Sequence, residues 1–255
     1  STASAIHRTL HPLPPQRLVQ LERLLEQHHA TYRQLIIVTE SIFSMDGDQA
    51  DLTALVRLKK DPNVLLYVDE AHAFGVRGPR GLGCAEETGC IRDIDFLVGT
   101  FGKAAASAGA YIACCRTIRE YLVNRMRTLI FTTALPPTSI AWTLFIVRKL
   151  AGMQNRREHL AESAGLREAL QAKGYGCPSA SHIVPLIIGP VPTLAVRRVA
   201  AEAWVYALPV RPPTVPEGTS RIRFSLTADI REDEIGELIP LIPLKEEKNT
   251  NAIRF

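Results

Sequence analysis

Long hydrophobic runs are missing from this chain of 255 residues. No apolar stretch approaches the roughly 20 residues that a transmembrane helix requires. The first residues also lack the apolar core of a signal peptide. The sequence therefore predicts a protein without a membrane partner and with a cytoplasmic location.

Cysteine pairs and a large excess of one charge are missing as well. The five cysteines include no CxxC pair, and Cys114 is directly followed by Cys115. We therefore expect reduced thiols and no metal site. The chain has 30 Lys and Arg against 26 Asp and Glu, a net charge of +4. This charge is too small and too dispersed to predict nucleic-acid binding.

The glycine motifs of nucleotide-binding proteins are absent too. Gly102-Lys103 is followed by Ala104, so the phosphate loop GxxxxGK[ST] is not formed. The DEAH letters at 69–72 are those of a helicase box, but a helicase would need that loop. The glycines between 75 and 83 lack dinucleotide spacing, and we expect them to shape an active-site loop instead.

Short apolar runs alternate with helical patterns in the first part of the chain. Strands are predicted at 35–39, 64–68 and 96–98, and a helix from 51 to about 60 separates the first two. This order is typical of an α/β domain with a mostly parallel sheet. Later helices are predicted at about 117–127 and from Pro137 or Thr138 to about Leu150.

The pattern changes near Gly152, where polar residues follow. Beyond it the sequence predicts a small α+β arrangement, with helices and strands at 157–173, 183–188, 193–203, 221–225 and 232–239. We predict a large domain at 1–153, incomplete at its N-terminus, and a small α+β C-terminal domain at 154–255.

Two of the predicted strands lead into polar residues that could hold a cofactor. Asp69 ends the run at 64–68, and Lys103 follows the run at 96–98. Ligands of open α/β sheets bind at the carboxyl ends of the strands. An acid and a lysine there suit a cationic ring nitrogen and an aldehyde, which are the reactive parts of pyridoxal 5'-phosphate, PLP. Alone, Asp69 could equally be a helix cap and Lys103 a surface lysine.

Four motifs resemble the α-oxoamine synthases, which are PLP enzymes of fold type I. They are VTESIFSMDGD, YVDEAHAFGVRGPRGLG, GTFGKA and RPPTVPEGTSRIRFSLTADI, in this order along the chain. The resemblance implies that Lys103 forms the Schiff base with PLP and that Asp69 pairs with its ring nitrogen. One departure is the run of alanines at 104–106, where glycine is frequent in the family.

The resemblance also places His72, Ser44 and Thr100 around the cofactor. His72 would lie near the ring or its phenolic oxygen, and Thr100 near that oxygen or the phosphate. A packed or exposed histidine and ordinary turn hydroxyls are the alternatives for these residues.

Substrate and subunit contacts are implied farther along the chain. Arg223 would bind the substrate carboxylate, with Arg211 and Arg221 as rivals. Thr132 and Thr133 would reach the cofactor phosphate of the neighbouring subunit in a homodimer, although loop capping explains them equally well.

The implied reaction is a decarboxylative condensation of L-alanine with a pimeloyl thioester, carried by coenzyme A or by acyl carrier protein. Two alternatives remain: a member of the family that uses glycine, and a non-catalytic partner subunit. The family also has a preceding portion with a phosphate-binding glycine turn and a stacking histidine. Neither His7 nor His11 has the context of that stacking histidine. We therefore expect the 255 residues of this chain to hold half of a cofactor site.

Overall fold

A four-stranded sheet brings the polar strand ends together. The computed structural model describes residues 17–162, 165–189, 207–242 and 244–245. Strands β1 (Leu35–Glu40), β2 (Val64–Asp69) and β3 (Phe96–Thr100) are parallel neighbours, and β4 (Ala110–Ala113) runs antiparallel beside β3. The predicted α/β class with a mostly parallel sheet is confirmed.

One face of this sheet is packed against the core. Val64, Leu66 and Val68 alternate along β2 and are buried, as a strand with one covered face requires. The core beneath them receives helices α1 (Leu18–His28) and α2 (Leu52–Leu58).

The other face of β1 is open. The continuous apolar run at 35–38 is typical of a parallel strand that is buried on both faces, but Ile36 and Val38 are 55% and 68% exposed. The expectation is wrong for these two residues because the described chain covers only one face of the strand.

Short and long helices follow the sheet strands. They are α3 (Cys84–Glu87), a 3-10 turn (Ile91–Asp93), α4 (Arg116–Arg125), α5 (Arg127–Ile130) and α6 (Pro137–Leu150). The single helix predicted at 117–127 is interrupted because Met126 has an extended backbone, with φ −77° and ψ 100°. Helix α6 begins at Pro137 as predicted, since proline is favoured in a first helical turn. No helix within the described ranges has both the length and the hydrophobicity to cross a membrane.

A second, antiparallel sheet lies in the last third of the chain. Its order is β5 (Ile183–Ile187), β7 (Arg221–Ser225) and β6 (Leu208–Val210). Helices α7 (Gln154–Glu162), α8 (Gly165–Ala172) and α9 (Glu232–Leu241) accompany it. The described residues 154–162 and 165–172 are helical, and they overlap the helix predicted at 157–173.

The core of this second part is formed by apolar residues of α8, β5, β7 and α9. The predicted helix at 193–203 and the predicted irregular segment at 1–15 lie outside the described residues. The two sheets lie on either side of residue 153, and the division of the chain at that point stays a prediction.

The turn after β1 joins the two sheets. Gly47 has a φ of +68°, and a Cβ added there would lie 2.1 Å from the Ile183 carbonyl oxygen. The Ala180 amide donates to the Gly47 carbonyl at 3.0 Å. Only glycine combines this backbone conformation with so close an approach. The turn at 43–48 is therefore pressed against the second sheet.

Candidate active site

Strands β1, β2 and β3 end at the same edge of the first sheet. The pairing register sets Glu40 opposite Asp69, and Asp69 opposite Val98. Beyond the strand ends the Ser41 amide donates to the Asp69 carbonyl at 2.9 Å. The polar groups that follow the three strands are thereby held side by side, as the sequence analysis expected of a parallel sheet.

Asp69 borders an open recess on the uncovered face of the sheet. Its Oδ1 accepts a hydrogen bond from the Ala71 amide at 2.8 Å. The recess is lined by Val38, Thr39, Glu40, Phe43, Tyr67 and Asp69. Apolar and aromatic walls with carboxylates at the rim form a surface that accommodates a flat, positively charged ring.

Glu70 points to the opposite, buried side and has a structural role. It is fully buried and accepts hydrogen bonds from the Ser41 hydroxyl at 2.5 Å, the Cys84 amide at 3.1 Å and the Ala85 amide at 2.7 Å. Burial raises the pKa of Glu70 above its usual value. The alternation of a strand therefore separates two adjacent acids, one at the recess and one tying the start of α3 to the sheet.

His72 lies half-buried between cationic groups of both sheets. Its pKa is lowered from 6.5 to about 4, first by burial and then by the charges of Lys103 and Arg223. At neutral pH the imidazole is therefore uncharged. It can donate or accept a hydrogen bond but adds no positive charge to the site.

Lys103 lies in an irregular segment between β3 and β4. The Phe101 amide donates to the Gly109 carbonyl at 2.9 Å, and the Ala106 amide donates to the Lys103 carbonyl at 2.9 Å. Lys103 is exposed in this structure. Of the neighbouring alanines at 104–106, only Ala105 is buried. Small side chains beside the lysine leave room for a bulky ring to lie against the backbone, and a ring bound there would exclude water from the lysine.

Two arginines of β7 contact the turn after β1, and their contacts differ. Arg221 is buried and ion-paired with Asp46. Arg223 donates from Nε to the Ser44 carbonyl at 2.6 Å and from Nη1 to the Ser225 hydroxyl at 2.9 Å. Arg221 is thus neutralised by a protein carboxylate, whereas Arg223 has no ion-pair partner in the described part of the chain. The contacts favour Arg223 over this rival as the group that binds a substrate carboxylate.

The remaining predicted residues are not all close together. Ser44 donates its amide to the Glu40 carboxylate at 3.0 Å, and Thr100 ends β3 opposite Ala110. Thr132 and Thr133 are exposed in the connection between α5 and α6. In the described chain no hydrogen bond joins these two threonines to the strand ends.

Two further titratable residues in or near the site were not predicted from the sequence. Burial raises the pKa of Glu40, and the charge of Asp69 also raises it. Glu40 directly follows a β-branched run, so the rule that singled out Asp69 could have found it. His182 precedes β5, and its buried Nδ1 has no partner among the described residues. No local sequence signal marks His182, since its position depends on how the second sheet packs.

Known proteins share this fold and these motifs. The model of the family described as aminotransferase class I and II matches residues 15–242. Proteins named 8-amino-7-oxononanoate synthase from Haemophilus ducreyi and Chlorobaculum parvum are each 53% identical over 229 and 221 residues. These matches cover 87% and 86% of this chain but only 59% and 56% of the relatives. The chain thus spans less than two thirds of the curated relatives it matches.

Solved structures agree with this relationship. A serine palmitoyltransferase from Sphingomonas wittichii superimposes with a TM-score of 0.81 at 30% identity, covering 88% of this chain and 57% of that one. The 8-amino-7-oxononanoate synthase of Francisella tularensis gives 0.72 at 26% identity, covering 86% and 65%. A serine palmitoyltransferase from S. paucimobilis, solved with a bound PLP derivative of myriocin, gives 0.80 at 29% identity, covering 88% and 57%. The chain therefore belongs to the class I and II aminotransferase family and has the fold type I architecture that its motifs predicted.

Proposed function

We propose that the protein to which this chain belongs is a PLP-dependent acyltransferase of the α-oxoamine synthase type. The observation that carries the proposal is that Asp69 ends β2 beside the recess, while His72, three residues on, is close enough to Lys103 to have its pKa lowered by that charge. The recess beside Asp69 fits a pyridine ring, because it offers aromatic and apolar walls and carboxylate groups at the rim. Bound there, PLP would supply an aldehyde that condenses with amines and a ring that accepts electron density from a carbanion.

The residues of the site have complementary tasks in this proposal. Asp69 would hold the ring nitrogen of PLP and favour its protonated form. Lys103 would supply the amine that attaches the cofactor, and the same amine could take the proton from the α-carbon of the amino acid. Ser44 and Thr100 would offer hydroxyl groups to the cofactor.

The charge states of Arg223 and His72 suit the binding of an amino acid and a cationic cofactor. Arg223 presents a cation to the carboxylate of the amino acid, since its own contacts are to a carbonyl and a hydroxyl. His72 is neutral at physiological pH because its pKa is lowered to about 4. It could therefore lie beside a bound cationic ring without repelling it.

The substrates that we propose are L-alanine and a pimeloyl thioester, which would give 8-amino-7-oxononanoate. The named relatives support this choice. The second candidate is a glycine-using sister enzyme, 2-amino-3-ketobutyrate ligase or 5-aminolevulinate synthase, and a non-catalytic partner subunit is the third. The solved serine palmitoyltransferases show that different acyltransferases share this fold.

The decisive experiment replaces Lys103 in the full-length protein. Lys103→Ala should abolish both turnover and the near-visible absorption band that added PLP gives with the wild type, because the amine that attaches the cofactor is gone. Lys60→Ala is the matched control and should keep both, because Lys60 is an exposed lysine just after the end of α2. Normal turnover by the Lys103 variant would contradict the proposal.

Thioester consumption separates the candidate reactions. The wild type is supplied with the pimeloyl thioester and either alanine or glycine. Faster consumption with alanine supports the proposed substrate, and faster consumption with glycine supports a sister enzyme. A protein that binds PLP but consumes no thioester with either amino acid would be a partner subunit.

A further inference from the structure

A second cluster of basic groups lines a cavity that the proposed reaction does not use. The cavity has a volume of about 140 Å³ and lies between the segments at 76–77 and 180–182 and the helices α7 and α8. Its charged or titratable lining residues are Arg77, Arg157, Arg167 and His182. We call it the basic cavity.

The arginines of the basic cavity differ in how their charge is balanced. Arg77 is held by Glu87 through two hydrogen bonds of 2.8 Å. Arg157 donates only to carbonyls, those of Leu150 at 2.6 Å and Pro79 at 2.5 Å. In the described chain neither Arg157 nor Arg167 forms an ion pair, so two positive charges beside the cavity lack a counter-ion.

Buried polar atoms also lack partners in the residues that line the cavity. Arg157 is only 8% exposed, and its Nε has no hydrogen-bond partner within the described residues. The buried Nδ1 of His182 likewise has no hydrogen-bond partner within the described residues. Arg167 makes a single bond, to the Ser179 carbonyl at 3.3 Å, and so retains further N–H donors. Leaving such donors and charges without partners is costly, and native proteins satisfy them with water or with an ion.

Water alone is a poor partner for this combination. The volume would hold about five waters at roughly 30 Å³ each, which could satisfy the orphaned nitrogens but would not neutralise two guanidinium groups. An oxyanion does both, because its oxygens accept several hydrogen bonds and carry the opposite charge. We propose that the basic cavity binds a small oxyanion, a phosphate or carboxylate group, between α7, α8 and the loop at 76–77.

Anion-dependent thermal stability of the full-length protein tests the proposal. The protein is kept saturated with PLP in every measurement, so that added anions do not fill the cofactor's own phosphate position. Melting temperatures are measured with inorganic phosphate, with acetate and with chloride at equal ionic strength. For the wild type we expect phosphate or acetate to raise Tm by about 3 °C over chloride at ten times its dissociation constant.

Three variants locate the effect. Arg167→Gln removes a cavity cation that makes only one long hydrogen bond, and Ala161→Leu fills the cavity from a small lining residue. Both should lose the anion-dependent rise in Tm, whatever their Tm in chloride. Arg156→Gln is the matched control, since this exposed arginine pairs with Asp229 and does not line the cavity; it should keep the rise.

The outcomes are distinct. A rise that disappears in Arg167→Gln and Ala161→Leu but remains in Arg156→Gln supports the site, and the stronger of phosphate and acetate identifies the ligand class. An equal rise in all variants indicates an adventitious ion only and overturns the proposal. No rise in the wild type indicates a cavity that holds only water, and overturns it as well.

Discussion

At the scale of single residues, two adjacent acids lie in opposite environments. Asp69 borders the open recess, whereas Glu70 is buried and accepts three hydrogen bonds. The sequence presents them as equivalent acids at a strand end. Strand alternation makes one available to a ligand and the other part of the scaffold.

The proposed role of Asp69 predicts a specific kinetic defect. Asp69→Asn should still bind PLP but should exchange the α-proton of alanine at least about tenfold more slowly, because a neutral partner no longer holds the ring nitrogen protonated. Exchange is measured by NMR in deuterated water with the full-length protein. Asp93→Asn, an exposed acid of the 3-10 turn, serves as the control. Unchanged exchange in Asp69→Asn would show that this carboxylate does not contact the ring.

His182 should make stability depend on pH. Its pKa is lowered from 6.5 to about 4, first by burial and then by the charges of Arg223 and Arg77. The unfolded chain then binds a proton that the native state does not. The contribution of His182 to stability is full above pH 6.5 and is lost as the pH falls from 6.5 towards 4, with a slope of up to about 1.4 kcal/mol per pH unit.

Urea unfolding at pH 7, 6 and 5 measures this slope. His182→Gln should reduce it, while His29→Gln, on the exposed end of α1, should leave it unchanged. His72 adds a share in the same direction, diminished by its partial exposure to water. An unaltered slope in His182→Gln would mean that the native state protonates this residue normally.

At the scale of elements, the segment that carries Lys103 contains a strained residue. Ala106 has a φ of +45°, in the left-handed region that favours glycine. The Trp142 indole donates to its carbonyl at 3.0 Å, and the Ser107 amide donates to the Phe101 carbonyl at 2.8 Å. These contacts hold Ala106 in a conformation that costs an L-residue about 1 kcal/mol.

Replacing this alanine should therefore strengthen the segment. Ala106→Gly is expected to raise Tm by about 2 °C, after the added freedom of glycine in the unfolded chain is subtracted. Ala104→Gly is the matched control and should lower Tm, because Ala104 has no positive φ to relieve. Differential scanning calorimetry measures both changes. A lower Tm in Ala106→Gly would contradict the claim that the backbone of Ala106 is strained.

The elements show where sequence patterns suffice and where they fail. Strand β1 and helix α6 were predictable, because a β-branched run and a helix-starting proline act locally. The interruption at Met126 was not, since no residue there breaks a helix by itself. Strand β6 was missed because it has three residues with Pro209 in the middle, and its pairing with β7 is what defines it. For the same reason the place of Asp69 at the end of a strand could be predicted from the sequence, whereas the place of His182 could not.

At the scale of the whole molecule, a broad apolar surface remains uncovered. Exposed large hydrophobic residues concentrate on α4, α5, α6 and their connections: Tyr121, Val123, Leu129, Ile130, Phe131, Leu135, Ile140, Trp142, Leu144 and Phe145. A patch of this kind marks an interaction surface. We propose that it is the interface of a homodimer, in which Thr132 or Thr133 contacts the partner's cofactor phosphate. We also propose, separately, that the chain is divided into two domains at residue 153.

A charge placed in this surface should weaken the dimer. Phe131 is 76% exposed, so Phe131→Asp should not disturb the fold, but it would bury an unpaired charge between subunits. Light scattering of the full-length protein should show dissociation, together with at least about tenfold weaker PLP binding. Val19→Asp, an exposed apolar residue of α1, is the control. A wild-type monomer that binds PLP tightly would exclude a shared site.

Amide hydrogen exchange at the contact between Gly47 and the second sheet can report how easily the two sheets separate. The Ala180 amide donates across that contact to the Gly47 carbonyl, whereas the Ser41 amide donates within the first sheet to Asp69. In deuterated water the Ala180 amide can exchange whenever the two sheets separate, but the Ser41 amide exchanges only when the strand ends themselves open. The ratio of the two exchange rates therefore measures how much less free energy it takes to part the sheets than to open the edge that holds Asp69.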